Sequence, residues 1–454
     1  MYKRQVIVSI TNEPKPDITI DFNKSLGKFK PVNGVNGGPF NYGNQSIPLA
    51  GYHAEAGFPF IRLHDANWPH PDAVDINTIF PVFDADPDDP KNYNFEKTDD
   101  YIAPIIKNKS EIIYRLGVSI EHKTHYFIEP PKDYPKWAKI CINIIRHYND
   151  GWSNGFHYNI KYWEIWNEPE GKAMWSGTLE QYFRLYETVA KAIKAYSPLL
   201  KVGGPASTGV QSVLMKPFLG YCRDHSLPLD FFSWHLYTEH PGDFIRNAKI
   251  ARAMLDEYGF RNTENFLDEW HYIPSWTRLS PKDSTDTTVR EQFAKTVGYE
   301  GAAFAASVLM LLQNSPIDVA NFYCADYSPW SMFDAFGVPS KVYFVFKAFG
   351  QLSKMSNSVP CKKLSEDSTV VILAGISENR KTAGFLISNT SKDKSYTIAF
   401  QNLPGNGKIH VEIYQIDKTR NLELKKSTEL NAADTYLKLD LPSISVCMVK
   451  LSRQ

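Results

Sequence analysis

Lys161-Tyr162-Trp163-Glu164-Ile165-Trp166-Asn167-Glu168-Pro169-Glu170 is an aromatic and β-branched run that stops at an Asn-Glu pair and a proline. It reads as a buried strand with a polar tip, because Pro169 cannot continue a ladder. In a regular strand Tyr162, Glu164, Trp166 and Glu168 point one way, and Trp163, Ile165 and Asn167 the other. A carboxylate at a strand end is costly to bury without a partner or a purpose. Glu168 is therefore the first candidate for chemistry. Glu164, deeper in the strand, is expected to be a paired core carboxylate.

Working outward from this strand, the same rhythm recurs. Short apolar segments at 58–65, 111–117, 200–205, 230–237, 265–272 and 319–326 end in polar or glycine residues. Helical patterns at 99–107, 135–148, 178–197, 213–222, 244–258, 289–313 and 340–354 separate them. The stretch 289–313 reads as one long helix rich in small residues. Counted from a first short strand near Val32, this is a β-α unit repeated about eight times up to residue 354, the pattern of a closed parallel sheet with helices outside. The fold class is α/β, a (β/α)₈ barrel. No G-x-G-x-x-G opens a helix after the first strand, which weighs against a dinucleotide fold.

Beyond about residue 359 the period shortens. Segments 369–376, 382–388, 395–400, 408–416, 436–441 and 445–451 alternate apolar and polar residues between turn signals, the pattern of a β-sandwich. Two further alternating segments, 5–10 and 17–22, precede the barrel and are expected to join that sandwich, since a closed barrel offers them no edge. The expected domains are 1–31 with the sandwich, 32–354 as the barrel, and 355–454 as the sandwich itself.

Fifty acidic residues balance fifty basic ones. That leaves no basic excess for nucleic acid or an anionic membrane. No apolar run is long enough to span a bilayer, and the N-terminus is not a signal peptide as written. The compartment stays open, with export or the periplasm favoured over the cytoplasm, and the oligomeric state is unknown. Five scattered cysteines show neither a disulfide framework nor zinc spacing. Asp84, Asp86, Asp88 and Asp89 are interrupted by proline, and His122 and His125 lack a third ligand, so no metal site and no cofactor are expected.

In a barrel the reactive residues stand at the C-terminal strand ends. Those ends hold Arg62, His64 and Asp65; Asn167 and Glu168; His235 and Tyr237; Asp268, Glu269 and His271; and Asp326, with Trp330 just beyond. Two carboxylates, Glu168 and Glu269, end the fourth and seventh strands. Paired carboxylates that flank a sugar ring are the apparatus of glycoside hydrolysis, one protonated and one ionised. Donors such as Arg62 and Tyr237 suit the ionised partner. Asp268 has the opposite parity from Glu269 and is expected to point away from the mouth. The expected partner is a carbohydrate.

The strand with Trp166-Asn167-Glu168-Pro169, the strand with Asp268-Glu269-Trp270-His271-Tyr272, and Arg62-Leu63-His64-Asp65 with the Asp-Pro loop after it resemble glycoside hydrolase family 39. The resemblance implies a retaining barrel glycosidase with an accessory β-sandwich, akin to β-xylosidases and α-L-iduronidases. It makes Glu168 the acid/base and Glu269 the nucleophile, with Asn167 on the sugar's 2-hydroxyl and Tyr237 on the nucleophile. The reading is of an exo-acting, β-xylosidase-like enzyme whose exact sugar stays open. Asp65 replaces the glycine usual in the family xylosidases, and Trp270-His271-Tyr272 replaces their Asn-Thr-Ser. Arabinoside or galactosyl-arabinoside, β-galactoside and uronide substrates stay open, as does a glycan-binding protein without turnover. Arg62, His64, Asp65, His235, Tyr237, His271 and Trp330 are the expected substrate contacts beside Asn167.

Overall fold

The computed structural model describes residues 15–39, 48–64, 72–119, 126–275, 282–283, 285–403, 407–431 and 435–453. Eight parallel strands close into a barrel: β1 (Gly34–Asn36), β2 (Phe60–Leu63), β3 (Glu111–Leu116), β4 (Tyr162–Ile165), β5 (Lys201–Ser207), β6 (Phe231–Thr238), β7 (Glu264–Tyr272) and β8 (Val319–Phe322). Each strand pairs with its sequence neighbours, and β8 closes on β1.

The pleat builds the interior in layers. Phe60, Ile113, Phe231, Phe266 and Val319, with Tyr162 against them, fill the floor. Two residues further along their strands come Arg62, Arg115, Ser233 and Asp268, with Glu164 above Tyr162, all fully buried. A period of two thus turns an aromatic floor into a charged middle layer. Gly203 on β5 makes room for this floor, because a Cβ there would come within 2.5 Å of the Phe231 ring.

Helices outside the barrel hold the strand ends. The helix Leu179–Tyr196 starts at a capping box, with Gln181 N–H donating to Thr178 Oγ1 at 3.2 Å and Thr178 N–H to Gln181 Oε1 at 2.8 Å. Such a cap stabilises by about 1 kcal/mol. From this anchored helix the Tyr182 hydroxyl donates to the Ile165 carbonyl at 3.0 Å, at the end of β4.

The stretch read as one long helix is two, Thr288–Val297 and Tyr299–Leu312. Gly298 between them is extended (φ −75°, ψ −161°), which breaks the ladder. Apolar periodicity runs through that break, so the pattern concealed it.

A four-stranded and a seven-stranded sheet accompany the barrel. Ile18–Asp21 lies in the first, between Cys361–Lys363 and Lys394–Gln401. Segment 5–10 lies outside the described residues. The seven-stranded sheet includes an edge strand, Asn421–Leu430, that hydropathy misses. Its residues are mostly exposed and rich in Lys and Glu, as suits a sheet edge protected from further pairing. Leu386 and Met448 of this sheet share one core with the barrel, and Ser388 Oγ lies 2.8 Å from Ser307 Oγ of the helix Tyr299–Leu312. Among the described residues no helix is long and apolar enough to cross a membrane.

Candidate active site

β4 ends at Ile165, and its alternation ends there too. Trp166 takes φ +73° and Glu168 φ +44°. Left-handed backbone is uncommon outside glycine and costs about 1–3 kcal/mol per residue. The reversal turns the Trp166 ring outward onto Trp137 and Trp175, at ring distances of 6.3 and 4.9 Å. It also brings both Asn167 and Glu168 to the mouth, which a regular strand forbids.

β7 breaks its register differently. Trp234 pairs with Leu267 but His235 pairs with Glu269, so Asp268 is the extra residue of a bulge. The expected outward Asp268 is therefore corrected: it lies inside, 3.1 Å from Arg62 Nε. Phe266 already faces in, so the parity of Asp268 is inward, and the bulge then turns Glu269 inward as well.

Arg62 is the hub. Its Nε donates to Glu164 Oε2 at 2.7 Å, its Nη1 to Glu269 Oε2 and Asn36 Oδ1 at 3.1 Å each, and its Nη2 to Asn167 Oδ1 at 2.8 Å. Asn36, at the end of β1, donates in turn to the Asp268 carbonyl at 2.9 Å. Sequence reading passed over Asn36 because it ends a short strand that dissolves into glycines; its place at a strand end was the available signal. Glu164 is a paired core carboxylate, as its depth implied.

The cluster divides its charge unevenly. Burial, with Asp268 beside it, pushes the Glu164 carboxyl up to about 8 against the pull of Arg62. Burial also works against an ionised Asp268, but Arg62 and His235 overcome it and hold that carboxyl below its usual value. The pair thus keeps one proton, seated on Glu164. Burial, with Glu168 opposite, raises Glu269, against His235, Arg62 and the Tyr237 hydroxyl, which donates to Glu269 Oε1.

His235 bridges the halves. Nδ1 is 2.8 Å from Glu168 Oε1 and 3.8 Å from Glu269 Oε1, and Nε2 is 3.7 Å from Asp268 Oδ2. Burial disfavours its charge, but Glu269, Asp268 and Glu168 outweigh that and raise it well above an ordinary imidazole. Glu168, His235 and Glu269 present ligand atoms within 4.8 Å of one another. A protonated imidazole has no lone pair for a cation, so the trio suits proton transfer better than metal binding.

The other expected contacts separate by depth. The Glu168 side chain is 17% exposed and that of Glu269 8%, whereas Arg62 and His235 are sealed beneath them. Arg62 and His235 thus reach a substrate only through the groups they hold. His64 is buried, and burial with the Arg62 and Arg115 charges keeps its ring neutral. His271 is also buried, which pulls it down to about 4; Nε2 lies 2.9 Å from the Trp330 carbonyl and Nδ1 3.0 Å from that of Tyr272. A neutral ring donates to only one of these, and either way His271 sits behind Trp330 rather than at the mouth. Trp330 itself is half-buried, with its ring 6.2 Å from Tyr237 and nearly perpendicular to it. Asp65 and the pair His122 and His125 lie outside the described residues.

The sequence profile of glycosyl hydrolases family 39 matches residues 45–365, spanning every strand of the barrel from β2 to β8. The chain belongs to that family. Within the family 39 match, a β-xylosidase of Caldicellulosiruptor saccharolyticus is 27% identical over 70% of this chain and 64% of its own length. A β-xylosidase of Geobacillus stearothermophilus is 29% identical over 40% of this chain and 38% of its own length. This family 39 chain therefore matches less than two thirds of either relative. A glucosidase structure from Croceicoccus marinus shares the fold, with a TM-score of 0.82 and 24% identity over 97% of this chain and all of that one.

Proposed function

We propose that this chain is a retaining, exo-acting glycoside hydrolase that takes β-xylosides. Glu168 protonates the glycosidic oxygen while Glu269 attacks the anomeric carbon, forming a glycosyl-enzyme and releasing the aglycone. Glu168 then takes a proton from water, which attacks the same carbon and returns Glu269. The observation that carries this reading is the pair itself: carboxylate oxygens of Glu168 and Glu269 lie within 4.8 Å of each other, one just past β4 and one on β7, with His235 between them. Retention calls for carboxyl groups about 5–5.5 Å apart, whereas inversion leaves room for a water at about 6.5–9.5 Å.

The partners fit the roles. Glu269, held by Arg62 and Tyr237, is the less exposed and the better oriented, as a nucleophile must be. Glu168, more exposed and linked to an imidazole, can exchange a proton twice per turnover. Asn167 has its carbonyl oxygen engaged by Arg62, which leaves its amide N–H free to be aimed at a sugar hydroxyl. The xyloside assignment rests on the two relatives described as β-xylosidases.

The test is Glu269→Ala. Turnover of an aryl β-xyloside is expected to fall by at least ~1,000-fold, and added azide to restore a glycosyl azide of inverted configuration. Unchanged turnover in that variant overturns the nucleophile. A panel of aryl xylosides, arabinosides, galactosides and uronides on the unmodified enzyme decides the sugar, and preference for any other glycone overturns the xyloside.

A further inference from the structure

Two residues past the acid/base, Glu170 has no part in the chemistry so far. Its Oε1 accepts four hydrogen bonds from the end of β5 and the chain just after it: Ser207 Oγ at 2.6 Å, Thr208 N–H and Thr208 Oγ1 at 2.8 Å, and Ser212 Oγ at 2.9 Å. That exceeds the two lone pairs of one oxygen, so the donors crowd a single point. Its Oε2 is buried with no hydrogen-bond partner. This is not a solvated surface acid.

The knot lies on the backbone that carries Glu168. The Glu168 N–H donates to the Ala206 carbonyl at 2.9 Å, and the Gly171 N–H to the Glu168 carbonyl at 2.9 Å. Glu168 (φ +44°) and Ala206 (φ +50°) are both left-handed. Such backbone persists only where its surroundings over-determine it. Glu170 ties one strained segment to the other.

We propose that Glu170 is a positioning residue for proton transfer: it fixes the loop after β4 to the loop after β5 and so aims the Glu168 carboxyl at the leaving oxygen. This rests on Glu168 being the acid/base. Among the described residues Glu170 is hydrogen-bonded to Ser207, Thr208 and Ser212, while Arg62 and Tyr237 hold Glu269, so attack by Glu269 is not its business. Its loss is felt where the departing oxygen needs a proton and where the incoming water must give one up.

The test is a leaving-group comparison with Glu170→Ala, Glu170→Gln and the double variant Ser207→Ala/Ser212→Ala, each checked for a native melting transition. Xylobiose releases an alkoxide-like oxygen that must be protonated, and 2,4-dinitrophenyl β-xyloside releases a phenolate that need not be. Glu170→Ala is expected to lower kcat/KM on xylobiose by ~100-fold and on the dinitrophenyl xyloside by less than ~3-fold. Its kcat on the dinitrophenyl substrate is expected to rise with azide, which needs no base. Glu170→Gln and the double variant fall between. Equal losses on both substrates, or no loss on either, overturn the proposal. If the unmodified enzyme turns over neither, the xyloside assignment fails, and the same comparison is made with the disaccharide and the dinitrophenyl glycoside of the sugar the aryl-glycoside panel selects.

Discussion

His235 Nδ1 stands 2.8 Å from Glu168 Oε1, and the imidazole is wholly buried. Glu269 and Asp268 add negative charge on either side of the ring, at 3.8 and 3.7 Å. Together these groups hold a proton on His235 to a higher pH than a free imidazole keeps one. The imidazole can pass that proton to Glu168 across their hydrogen bond, so His235 sets how far up in pH acid catalysis persists. His235→Asn is expected to move the basic limb of the kcat/KM profile to lower pH and to cost ~10–100-fold near neutrality. A pH–rate profile with substrates that need protonation checks it, and an unmoved basic limb contradicts it.

The Tyr237 hydroxyl gives Glu269 Oε1 its donor, and Arg62 gives Oε2 the other. A hydrogen bond to a charged group contributes about 1.5–3 kcal/mol. Tyr237→Phe removes one of the two and should cut kcat/KM by ~10–100-fold, with little change in melting temperature because the ring still packs near Trp330. Steady-state kinetics and a thermal melt separate the two effects. A collapse in stability with unaltered kinetics in the folded fraction would assign the hydroxyl to folding instead.

The barrel was legible because its period is strict. Eight apolar strands with polar tips separated by amphipathic helices admit few other folds, and Glu168 just past β4 and Glu269 near the end of β7 stand where strand counting places them. Parity reasoning failed wherever the backbone left the pleat. Trp166 in left-handed backbone and the bulge at Asp268 each reverse a face, and neither leaves a glycine or proline to announce it. The second sheet's edge strand, Asn421–Leu430, escaped for the opposite reason, since two wet faces erase the alternation. The links among Arg62, Asn36 and Asp268 join residues up to 232 apart in sequence, beyond any local pattern.

Glu164 makes stability depend on pH with a definite sign. Its carboxyl titrates near 8 in the folded chain and ordinarily near 4.5. The folded state therefore binds the extra proton between those values, so this contribution is fully present below about 4.5 and is lost as pH rises through about 8. The lowered Asp268 acts in the opposite sense, but only below its own ordinary value of 3.8, outside this window. In Glu164→Gln the amide oxygen can accept from Arg62 Nε while the amide N–H replaces the shared proton toward Asp268. The variant is expected to lose less stability than the unmodified chain between pH 5 and 8. Urea unfolding at both pH values measures it, and parallel losses refute it.

Arg62 is the residue the site can least spare, because its planar fork serves carboxylates in three directions. Arg62 and His235 together face four carboxyl groups, those of Glu164, Asp268, Glu269 and Glu168. Lysine keeps the charge but not the geometry: one ammonium cannot meet Glu164, Asp268 and Glu269 and still hold Asn36 and Asn167. Uncompensated buried charge costs about 3–5 kcal/mol, so Arg62→Lys is expected to unfold at markedly lower urea. Its remaining folded fraction should also be slow, since Glu269 and Asn167 lose a shared anchor. Adding Glu164→Gln to Arg62→Lys removes one acceptor that lysine must satisfy, and some stability should return without the activity. Denaturant unfolding gives the first quantity and active-site-normalised kcat the second. Full stability in Arg62→Lys alone would show that charge, not the fork, organises the cluster.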